Sequence, residues 1–498
     1  MIRKAKSIFF SWWASIQLHR FKKACTNPEK MYVRSWKYIL QQNISGPLSG
    51  LKYNTDLMAL REIPTTDYVD YQEEFQRSLN TKINPFTGEK INFWVNSTGT
   101  TGKHKTMPIT QSTESEMRNF SSVRLAQLIK EFNVLSSPPE LVFVLPGESQ
   151  GVNKEFPIGV IGYYHYKKMP GFLEKHFVFT KSLYANEELY NQWYLLMALL
   201  SDTSGISTPV PAKITHFLNE INSQRKELLK HLEKCDWPKE LAQNIDPKRI
   251  EMLKTLMKAP IKDVKKVWPS LSFVCVWMAG ESCRRQVEEL KQRYNFNNIQ
   301  FIDQVFRSSE GTFNIPFINE VGGPVNPYGI ILEFYDTESG LYYWPWELEE
   351  GKCYEVILTN SMGLTRYKTN DKVICTGHYK KMAKIAFHSR APVEISLGWG
   401  TIEERELDKA LIQIGVSDFS EFYFQLNPKG TGIVWVSFNE KYALLLRDLE
   451  NQLASINPYY AKLKDKGVLS GVTYSVVDES TFYAKLKKNV HSKNLLMK

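Results

Sequence analysis

The sequence has few of the features by which several classes of protein are recognised. Its 498 residues include only six cysteines, and no two of them have the Cys-x-x-Cys spacing of zinc and redox motifs. No histidine cluster accompanies the cysteines, so neither a zinc site nor a disulfide framework is indicated. We therefore expect reduced, mostly buried thiols in a cytoplasmic protein.

Long apolar runs, internal repeats and low-complexity linkers are also missing. No run approaches the roughly 18 residues that a helix needs to span a bilayer. The formal charge of +10 comes from basic residues spread along the chain, with no interleaved aromatic RNA-binding pattern. We therefore expect no nucleic-acid partner. The hydrophobic fraction of 43% and the charged fraction of 23% are typical of a globular protein, and the length predicts two to four domains.

The N-terminus combines apolar and basic residues. Lys4 and Lys6 precede the apolar stretch 7–16, and Arg20 and Lys22 follow it. We expect an amphipathic first helix that packs on its own domain, and the alternative is a helix that lies on a membrane surface.

Residues 95–110, which read VNSTGTTGKHKTMPIT, are rich in glycine, hydroxyl groups and lysine. Glycines allow a close approach of the backbone to a ligand, and this composition suits a loop around a polyphosphate. The common P-loop pattern is absent, because Ser97 replaces its first glycine and His104 replaces its Mg²⁺-binding hydroxyl. Taken alone, the stretch is equally compatible with an ordinary Ser/Thr/Gly surface turn before a helix that starts near Gln111.

The middle of the chain alternates between strand and helix patterns. Strands are predicted at 271–277 and 299–305 around a helix at 284–294, which favours an α/β fold with a partly parallel sheet. Gly280 and Ser308 follow these strands, where ligands of such sheets bind.

Apolar runs elsewhere predict shorter strands. One is expected at 159–164, and four at 329–334, 353–359, 364–367 and 371–375 predict an antiparallel sheet or small barrel. A β/α tail from about residue 390 predicts a separate, smaller domain.

Five stretches stand out when taken together and in order, namely STGTTGKHKTMPIT, WPSLSFVCVWMAGESC, FRSSEGTFNIPF, GLTRYKTND and STFYAKL. Together they resemble the acyl-activating, adenylate-forming enzymes. The similarity is greatest to the auxin-conjugating (Gretchen Hagen type) acyl-acid–amido synthetases and their bacterial relatives. The resemblance implies an adenylation domain over 1–389, with mixed sheets, flanking helices and a small barrel-like part. It also implies a smaller, mobile α+β domain over 390–498.

The resemblance assigns roles to individual residues. The loop residues that would hold the β- and γ-phosphates of ATP are Ser97, Thr98, Gly99, Thr100, Thr101 and Gly102, with Lys105 as counter-charge. Glu310 would bind Mg²⁺, a hard ion that prefers carboxylate and phosphate oxygens. Ser308 and Ser309 would line the adenine and α-phosphate side, and Asp371 would accept hydrogen bonds from the ribose hydroxyls.

Four further residues are implied on the acid and closing sides of the site. Arg390 would contact the ribose or α-phosphate, and Lys493 would bring positive charge from the smaller domain. Gly280 would border the acid substrate, and Arg118 either faces the acyl pocket or is a surface residue of its helix. One departure from the family pattern is Gly400-Thr401, which stands where relatives carry an acidic residue and a lysine.

The implied activity is that of a monomeric, ATP- and Mg²⁺-dependent ligase. It would activate a small carboxylic acid as an acyl-adenylate and transfer the acyl group to an amino acid or another amine. One alternative is transfer to a thiol such as coenzyme A. Another is a degenerate member that binds nucleotide at a membrane surface without turnover.

Overall fold

The computed structural model describes most of the chain. The described residues are 2–51, 54, 56–96, 105–136, 138–142, 158–159, 161–238, 245–279, 281–390, 394–396, 401–416, 421–429, 431–467, 469–482 and 496–497. They form two compact units. The first unit holds the described residues of 1–97, 105–279 and 290–388, and the second holds those of 280–289 and 389–498.

Helices occupy much of the first unit and part of the second. The α-helices are α1 (Ile2–Thr26), α2 (Pro28–Gln42), α3 (Val69–Thr81), α4 (Gln111–Phe132), α5 (Ile161–Lys168), α6 (Gly171–Glu174), α7 (Lys181–Ala185), α8 (Glu187–Leu200), α9 (Ala212–Lys234), α10 (Pro247–Leu256), α11 (Val264–Val267), α12 (Glu281–Tyr294), α13 (Glu404–Gln413), α14 (Leu446–Ile456) and α15 (Pro458–Asp465). Short 3₁₀ helices cover Ser49–Leu51, Leu57–Glu62 and Glu440–Leu445.

The strands are short in the first half of the chain and longer after residue 330. They are β1 (Phe93–Asn96), β2 (Thr106–Ile109), β3 (Glu140–Val142), β4 (Ile158–Gly159), β5 (Gly205–Ser207), β6 (Phe273–Val276), β7 (Gln300–Asp303), β8 (Gly323–Pro324), β9 (Ile330–Tyr335), β10 (Tyr342–Tyr343), β11 (Cys353–Asn360), β12 (Tyr367–Tyr379), β13 (Met382–Arg390), β14 (Glu394–Ser396), β15 (Thr401–Glu403), β16 (Phe422–Leu426), β17 (Gly432–Ser437), β18 (Gly471–Val476) and β19 (Leu496–Met497).

Three sheets make up the first unit. One is fully parallel with the order β3-β5-β6-β7, which confirms the predicted parallel part of an α/β fold. The second has the order β10-β9-β11-β12-β13-β8, and its pairings at β9, β10, β11 and β8 are antiparallel. In the third, β1 pairs antiparallel with β2 and parallel with β4. Mixed sheets with flanking helices are therefore the architecture of this unit.

The second unit has its own hydrophobic core. Its sheet has the order β18-β17-β16-β19, with an antiparallel pair at its centre and parallel neighbours on both sides. Trp435, Phe424 and Leu449 are fully buried in this core, where strand residues meet α13, α14 and α15. This is the smaller α+β unit that the tail pattern predicts.

Helix α1 packs on the parallel sheet through one side and carries apolar residues on another. Ala14 is fully buried in a cluster with Ile129 of α4 and Phe273 of β6. Ile8, Phe9 and Trp12 are 64%, 57% and 62% exposed, so the helix is not amphipathic in the simple sense expected. The break between α1 and α2 falls at Asn27-Pro28, since proline favours the first helical position.

Two of the short-strand predictions are wrong. The strand expected over 159–164 is mostly helix α5, where Tyr164 stacks on Phe93 with ring centroids 4.5 Å apart. A short apolar run fits a strand and a buried helix equally well, and only the tertiary partner decides. The strand expected over 364–367 is a turn, because β12 begins at Tyr367 and Arg366 has a positive φ of 42°.

Four of the six cysteines are buried, and none of the six, all of which the structure describes, forms a disulfide. Within the described part of the chain, no helix combines the length and apolarity that crossing a membrane requires.

We predict that Gly205→Ala destabilises the parallel sheet. Gly205 of β5 pairs with Phe273 of β6, and an added Cβ would fall within the Phe273 ring. That ring is fully buried and stacks on Phe132 at 4.4 Å, so it has no free space to move into. We expect a loss of about 1–3 kcal/mol in the free energy of unfolding, measured by urea denaturation.

The matched control is Gly171→Ala, at the start of α6, where an added Cβ meets no atom within 4 Å. It should leave the unfolding free energy nearly unchanged. Equal stability of the two variants would contradict the packing described for β5 and β6.

Candidate active site

Glu310 lies at the tip of a short hairpin formed by residues 306–313. The Ser308 amide donates to the Gly311 carbonyl at 3.0 Å, and these residues close the turn. The Ser309 hydroxyl donates to one Glu310 carboxylate oxygen at 2.9 Å, and the Glu310 amide donates to the Ser308 hydroxyl at 3.2 Å. Both serines thus shape the turn, and the Glu310 side chain is only 3% exposed.

Lys105, Tyr367 and Glu310 meet although they are far apart in sequence. The Lys105 ammonium donates to the Tyr367 hydroxyl at 2.7 Å and lies 3.8 Å from a Glu310 oxygen. The Tyr367 hydroxyl donates to the same Glu310 oxygen at 3.4 Å. Burial, followed by the charge of Glu310, raises the pKa of Tyr367, so the hydroxyl stays protonated and able to donate. We call these three residues the Lys105 cluster.

Aromatic rings enclose the ammonium group of this cluster. The Lys105 nitrogen lies 5.3 Å from the Tyr367 ring centroid and 5.7 Å from that of Tyr68. Ring faces attract a cation, so these two rings make favourable contacts with the Lys105 ammonium group.

The segment before α3 is tied to the start of β12. The Tyr68 hydroxyl accepts from the Thr106 amide at 2.9 Å, directly after Lys105 in the chain. The Tyr71 hydroxyl accepts from the Thr365 amide at 2.9 Å, and the Thr66 hydroxyl donates to the Thr365 carbonyl at 2.6 Å. These bonds hold the two strands that supply Lys105 and Tyr367 against one segment.

A buried ion pair fixes the turn that precedes β12. The Arg366 guanidinium donates to both oxygens of Glu333 on β9, at 3.0 and 3.2 Å. It also donates to the carbonyls of Arg61 and Ile63, and it lies 4.3 Å from the Tyr342 ring centroid. The Arg366 and Glu333 side chains are 5% and 1% exposed. Such a fully bonded bidentate pair sets a single geometry for the turn.

Asp371 is placed four residues into β12 and is 3% exposed. Its amide donates to the Thr369 hydroxyl at 3.2 Å, and the preceding Asn370 has a positive φ of 61°. Asparagine tolerates the left-handed region better than most residues, so this local kink has a favourable residue type.

The aromatic residues near the hairpin form core and not an open pocket. Phe306 and Phe313 lie 4.6 Å apart, and Trp277 and Phe387 both contact Phe306 at 5.4 Å. Trp94 is fully buried. Core packing, the default for large aromatics, is what the structure shows for these side chains.

Most of the remaining predicted site residues lie outside the part of the chain that the structure describes. The phosphate loop residues Ser97, Thr98, Gly99, Thr100, Thr101 and Gly102 lie outside the described residues, as do Gly280 and Lys493. Arg390 is the last residue of β13, and its side chain is not described. Arg118 is exposed on α4, whereas Arg124 on the same helix is buried and donates to the Asp303 and Pro316 carbonyls.

Comparison with known families agrees with this architecture. The model of the GH3 family N-terminal domain matches residues 17–292, more than half of the chain. The chain belongs to the GH3 family. The model of the GH3 family central domain matches residues 324–390, which include the antiparallel sheet and Asp371. The resemblance drawn from the sequence motifs is thereby confirmed.

Individual relatives match this GH3 family member over part of their length. It is 29% identical over 158 residues to the 4-substituted benzoates-glutamate ligase GH3.12 of Arabidopsis thaliana, covering 30% of this chain and 27% of that protein. It is 27% identical over 158 residues to the indole-3-acetic acid-amido synthetase GH3.3 of the same plant, covering 30% and 26%. The aligned region thus spans about a quarter of the length of these curated relatives.

The fold is shared over nearly the whole chain. The solved structure of the GH3.15 acyl acid amido synthetase superposes with a TM-score of 0.80, covering 96% of this chain and 91% of that one, at 17% identity. The GH3.15 structure in complex with 2,4-DB gives a TM-score of 0.79 and covers 97% and 92% at 16% identity. The predicted α/β fold class is confirmed.

Sequence reasoning missed the residues that organise the cluster. Tyr367 lies inside the GLTRYKTND motif but was assigned no role, and Tyr68 lies in no motif. The sequence around a tyrosine does not show that it will lie beside a lysine or a glutamate from a distant segment. Only the structure therefore identifies Tyr68 and Tyr367.

We predict that Glu333→Gln strongly destabilises the first unit. The variant keeps the size of the side chain but leaves the buried Arg366 guanidinium without an anion. Removing one partner of a buried pair costs about 3–5 kcal/mol in the free energy of unfolding. Urea denaturation followed by circular dichroism would measure this loss.

Glu355→Gln is the control, because its partner Lys372 lies 3.5 Å away and both side chains are about one-third exposed. A surface pair of this kind contributes less than about 1 kcal/mol. If the two variants lost similar stability, the buried pair would not have the structural role described.

Proposed function

We propose that this GH3 family member is an AMP-forming ligase that joins a small carboxylic acid to an amino acid or another amine. The observation that carries the proposal is the Lys105 cluster, which joins the strand after the phosphate-loop motif to the Glu310 hairpin and the start of β12. Each of these segments has a counterpart in the motifs that resemble the acyl-acid–amido synthetases. Membership of the GH3 family and the fold shared with GH3.15 support the same activity.

The cluster suits ATP and Mg²⁺ chemically. Mg²⁺ is commonly bound through one or two carboxylates together with phosphate oxygens, and Glu310 offers a nearly buried carboxylate at a hairpin tip. Lys105 lies 3.8 Å from that carboxylate and adds a positive charge beside it. When bound, Mg²⁺ would add positive charge next to the triphosphate. Among the described residues no group of three metal-ligating side chains occurs, so phosphate oxygens would complete the coordination.

The reaction has two steps that share one site. A carboxylate oxygen of the acid attacks the α-phosphorus of ATP, and the bond to the β-phosphate oxygen breaks, releasing pyrophosphate and leaving an acyl-adenylate. The amine nitrogen then attacks the acyl carbon, loses a proton, and AMP leaves. Lys105, held by the Tyr367 hydroxyl, would stabilise negative charge as it shifts along the phosphate chain. Asp371 would accept hydrogen bonds from the ribose hydroxyls and so orient the nucleotide.

The other assigned roles remain part of the proposal. The loop residues 97–102 would hold the β- and γ-phosphates, and Arg390 and Lys493 would act from a smaller domain over 390–498. Gly280 would border the acid. A cytoplasmic location and a monomeric state also remain proposals.

Dependence of the reaction on an amine distinguishes the main proposal from its alternatives. We expect exchange of pyrophosphate into ATP with at least one acid of a broad panel, and net pyrophosphate release that rises on adding amino acids. Release stimulated by coenzyme A, with no response to amines, would favour the acyl-thiol alternative. Measurable ATP binding without exchange for any acid would indicate a degenerate member and overturn the ligase proposal.

We predict that Glu310→Gln and Asp371→Asn each lower the exchange rate by about a hundredfold or more. Both variants remove a negative charge at nearly constant size, so Mg²⁺ or the ribose loses its acceptor while the packing stays. Glu355→Gln, on the neighbouring β11, is the control and should exchange at the wild-type rate. Full exchange in both site variants would show that the nucleotide binds elsewhere.

The exposed apolar residues of α1 favour one addition to the proposed function, which is contact of this helix with a membrane surface. Ile8, Phe9 and Trp12 are all more than half exposed, and the exposed Arg20 and Lys23 follow on the same helix. Aromatic and aliphatic side chains next to cations suit the interface of an anionic bilayer.

We predict that the wild-type protein pellets with vesicles of anionic lipid and that the variant Ile8→Ser, Phe9→Ser, Trp12→Ser does so at least about fivefold less. These side chains are exposed, so the melting temperature should not change. Equal recovery of both proteins in the supernatant would leave α1 with a packing role only.

A further inference from the structure

Arg307 occupies the side of the hairpin that faces away from the aromatic core. It pairs with Thr312 across the hairpin, next to the pair formed by Phe306 and Phe313. Successive side chains of a strand point to opposite faces, so Arg307 lies on the face opposite the two phenylalanines. Its guanidinium carbon is 5.9 Å from the ring centroid of Phe120 on α4. Arg307 therefore lies between the hairpin and α4, three residues before Glu310.

The Arg307 guanidinium is half-buried and unpaired. In the described part of the chain, no carboxylate, carbonyl or hydroxyl oxygen accepts a hydrogen bond from it or lies within ion-pair distance. Arg366 and Arg124, which are buried, differ from it, because Arg366 is bonded to Glu333 and Arg124 to backbone carbonyls. A cation that is partly removed from water without an anion is costly, and the face of one ring offsets only part of that cost.

The surroundings on α4 leave this charge uncompensated. Burial lowers the pKa of Arg307 to about 10, so the group is still a cation at neutral pH. Glu116, one turn before Phe120, accepts from the Ser361 amide at 3.2 Å, and burial raises its pKa to about 8. Its carboxyl is thus largely neutral at pH 7. Arg118 of α4 is exposed and Arg124 of α4 is bonded to backbone carbonyls, whereas Arg307 meets this helix at Phe120.

We propose that Arg307 binds an anionic group of the acid substrate. This inference rests on the proposed ligase function and assigns a residue of the acid-binding site. A guanidinium presents paired N–H donors that match the two oxygens of a carboxylate, so a bound acid would supply the missing acceptors. Arg307 belongs to the same hairpin as Glu310 of the Lys105 cluster and precedes it by three residues.

Two groups of the substrate carry the required chemistry. One is the reacting carboxylate, which loses its charge when the acyl-adenylate forms. The other is a second anionic group on the same acid, which keeps its charge through both steps. The first would make Arg307 a residue for every substrate, and the second would make it a determinant of specificity for acids with two anionic groups.

The test compares Arg307→Gln and Arg307→Lys with the wild-type protein in pyrophosphate–ATP exchange. The acids are used as matched pairs. One pair is benzoate and benzene-1,4-dicarboxylate, and another is a straight-chain monocarboxylic acid and the dicarboxylic acid of the same length. We expect Arg307→Gln to raise the KM for the acid at least about tenfold, because a hydrogen-bonded charge is lost, with the KM for ATP within about twofold of wild type. Arg307→Lys keeps the charge but lacks the planar guanidinium, so we expect its KM for the acid to lie between those of the wild type and Arg307→Gln.

The matched control is Arg34→Gln, an exposed arginine on α2, which should exchange like the wild type. Circular dichroism melting and titration of acid binding by calorimetry accompany each variant, so that a folding defect is recognised. If Arg307→Gln does not fold, Arg307→Lys alone decides through the acid KM.

The outcomes distinguish the two anionic groups of the acid that could bind Arg307. They also distinguish failure of the Arg307 inference from failure of the ligase proposal. An effect with every acid assigns Arg307 to the reacting carboxylate, and an effect confined to the diacids assigns it to a second anionic group. An unchanged acid KM and acid affinity, or a rise in the ATP KM instead, overturns the inference while the ligase function stands. A wild-type protein that neither exchanges with nor binds any acid overturns both.

Discussion

The buried pair of Arg366 and Glu333 is the constraint on which the geometry of the site depends. Glu333 on β9 is aligned with Ile357 on β11, and Ile357 is aligned with Lys368 on β12. The Arg366 side chain therefore reaches across one strand to its anion. Two desolvated charges are stable only together and in one arrangement, so the pair sets where β12 begins. It also supports the positive φ of Arg366, which would otherwise be unfavourable for an arginine.

The position at which β12 begins then fixes where Tyr367 and Asp371 lie. Tyr367, the next residue, is fully buried and contacts both Lys105 and Glu310, and Asp371 lies four residues further on. Tyr367 acts as a neutral spacer, because its hydroxyl accepts from the ammonium and donates to the carboxylate. Lysine and glutamate are held close without a direct hydrogen bond between them.

The similarity of this protein to its family lies in the fold, whereas the role of an individual residue depends on its own surroundings. The fold follows GH3.15 over 96% of the chain, although only 17% of the residues are identical. A fold tolerates such divergence because many hydrophobic side chains of similar volume fill the same core. Arg307 illustrates the opposite case. It lies inside the recognised FRSSEG motif, yet its significance depends on the side chains around it and not on the motif.

The sequence by itself determined the family, the α/β class and the strand–helix–strand alternation of 271–305, since each depends on local information. Glycine and hydroxyl spacing, strand–helix alternation and the Asn27-Pro28 break are all properties of neighbouring residues. The tertiary structure alone decided that 161–168 is a helix, that 364–366 is a turn and that Tyr68 and Tyr367 enclose Lys105. It also decided that Arg118 is exposed while Arg307 lies half-buried against the Phe120 ring. These outcomes depend on contacts between residues as much as 305 positions apart, which no local pattern records.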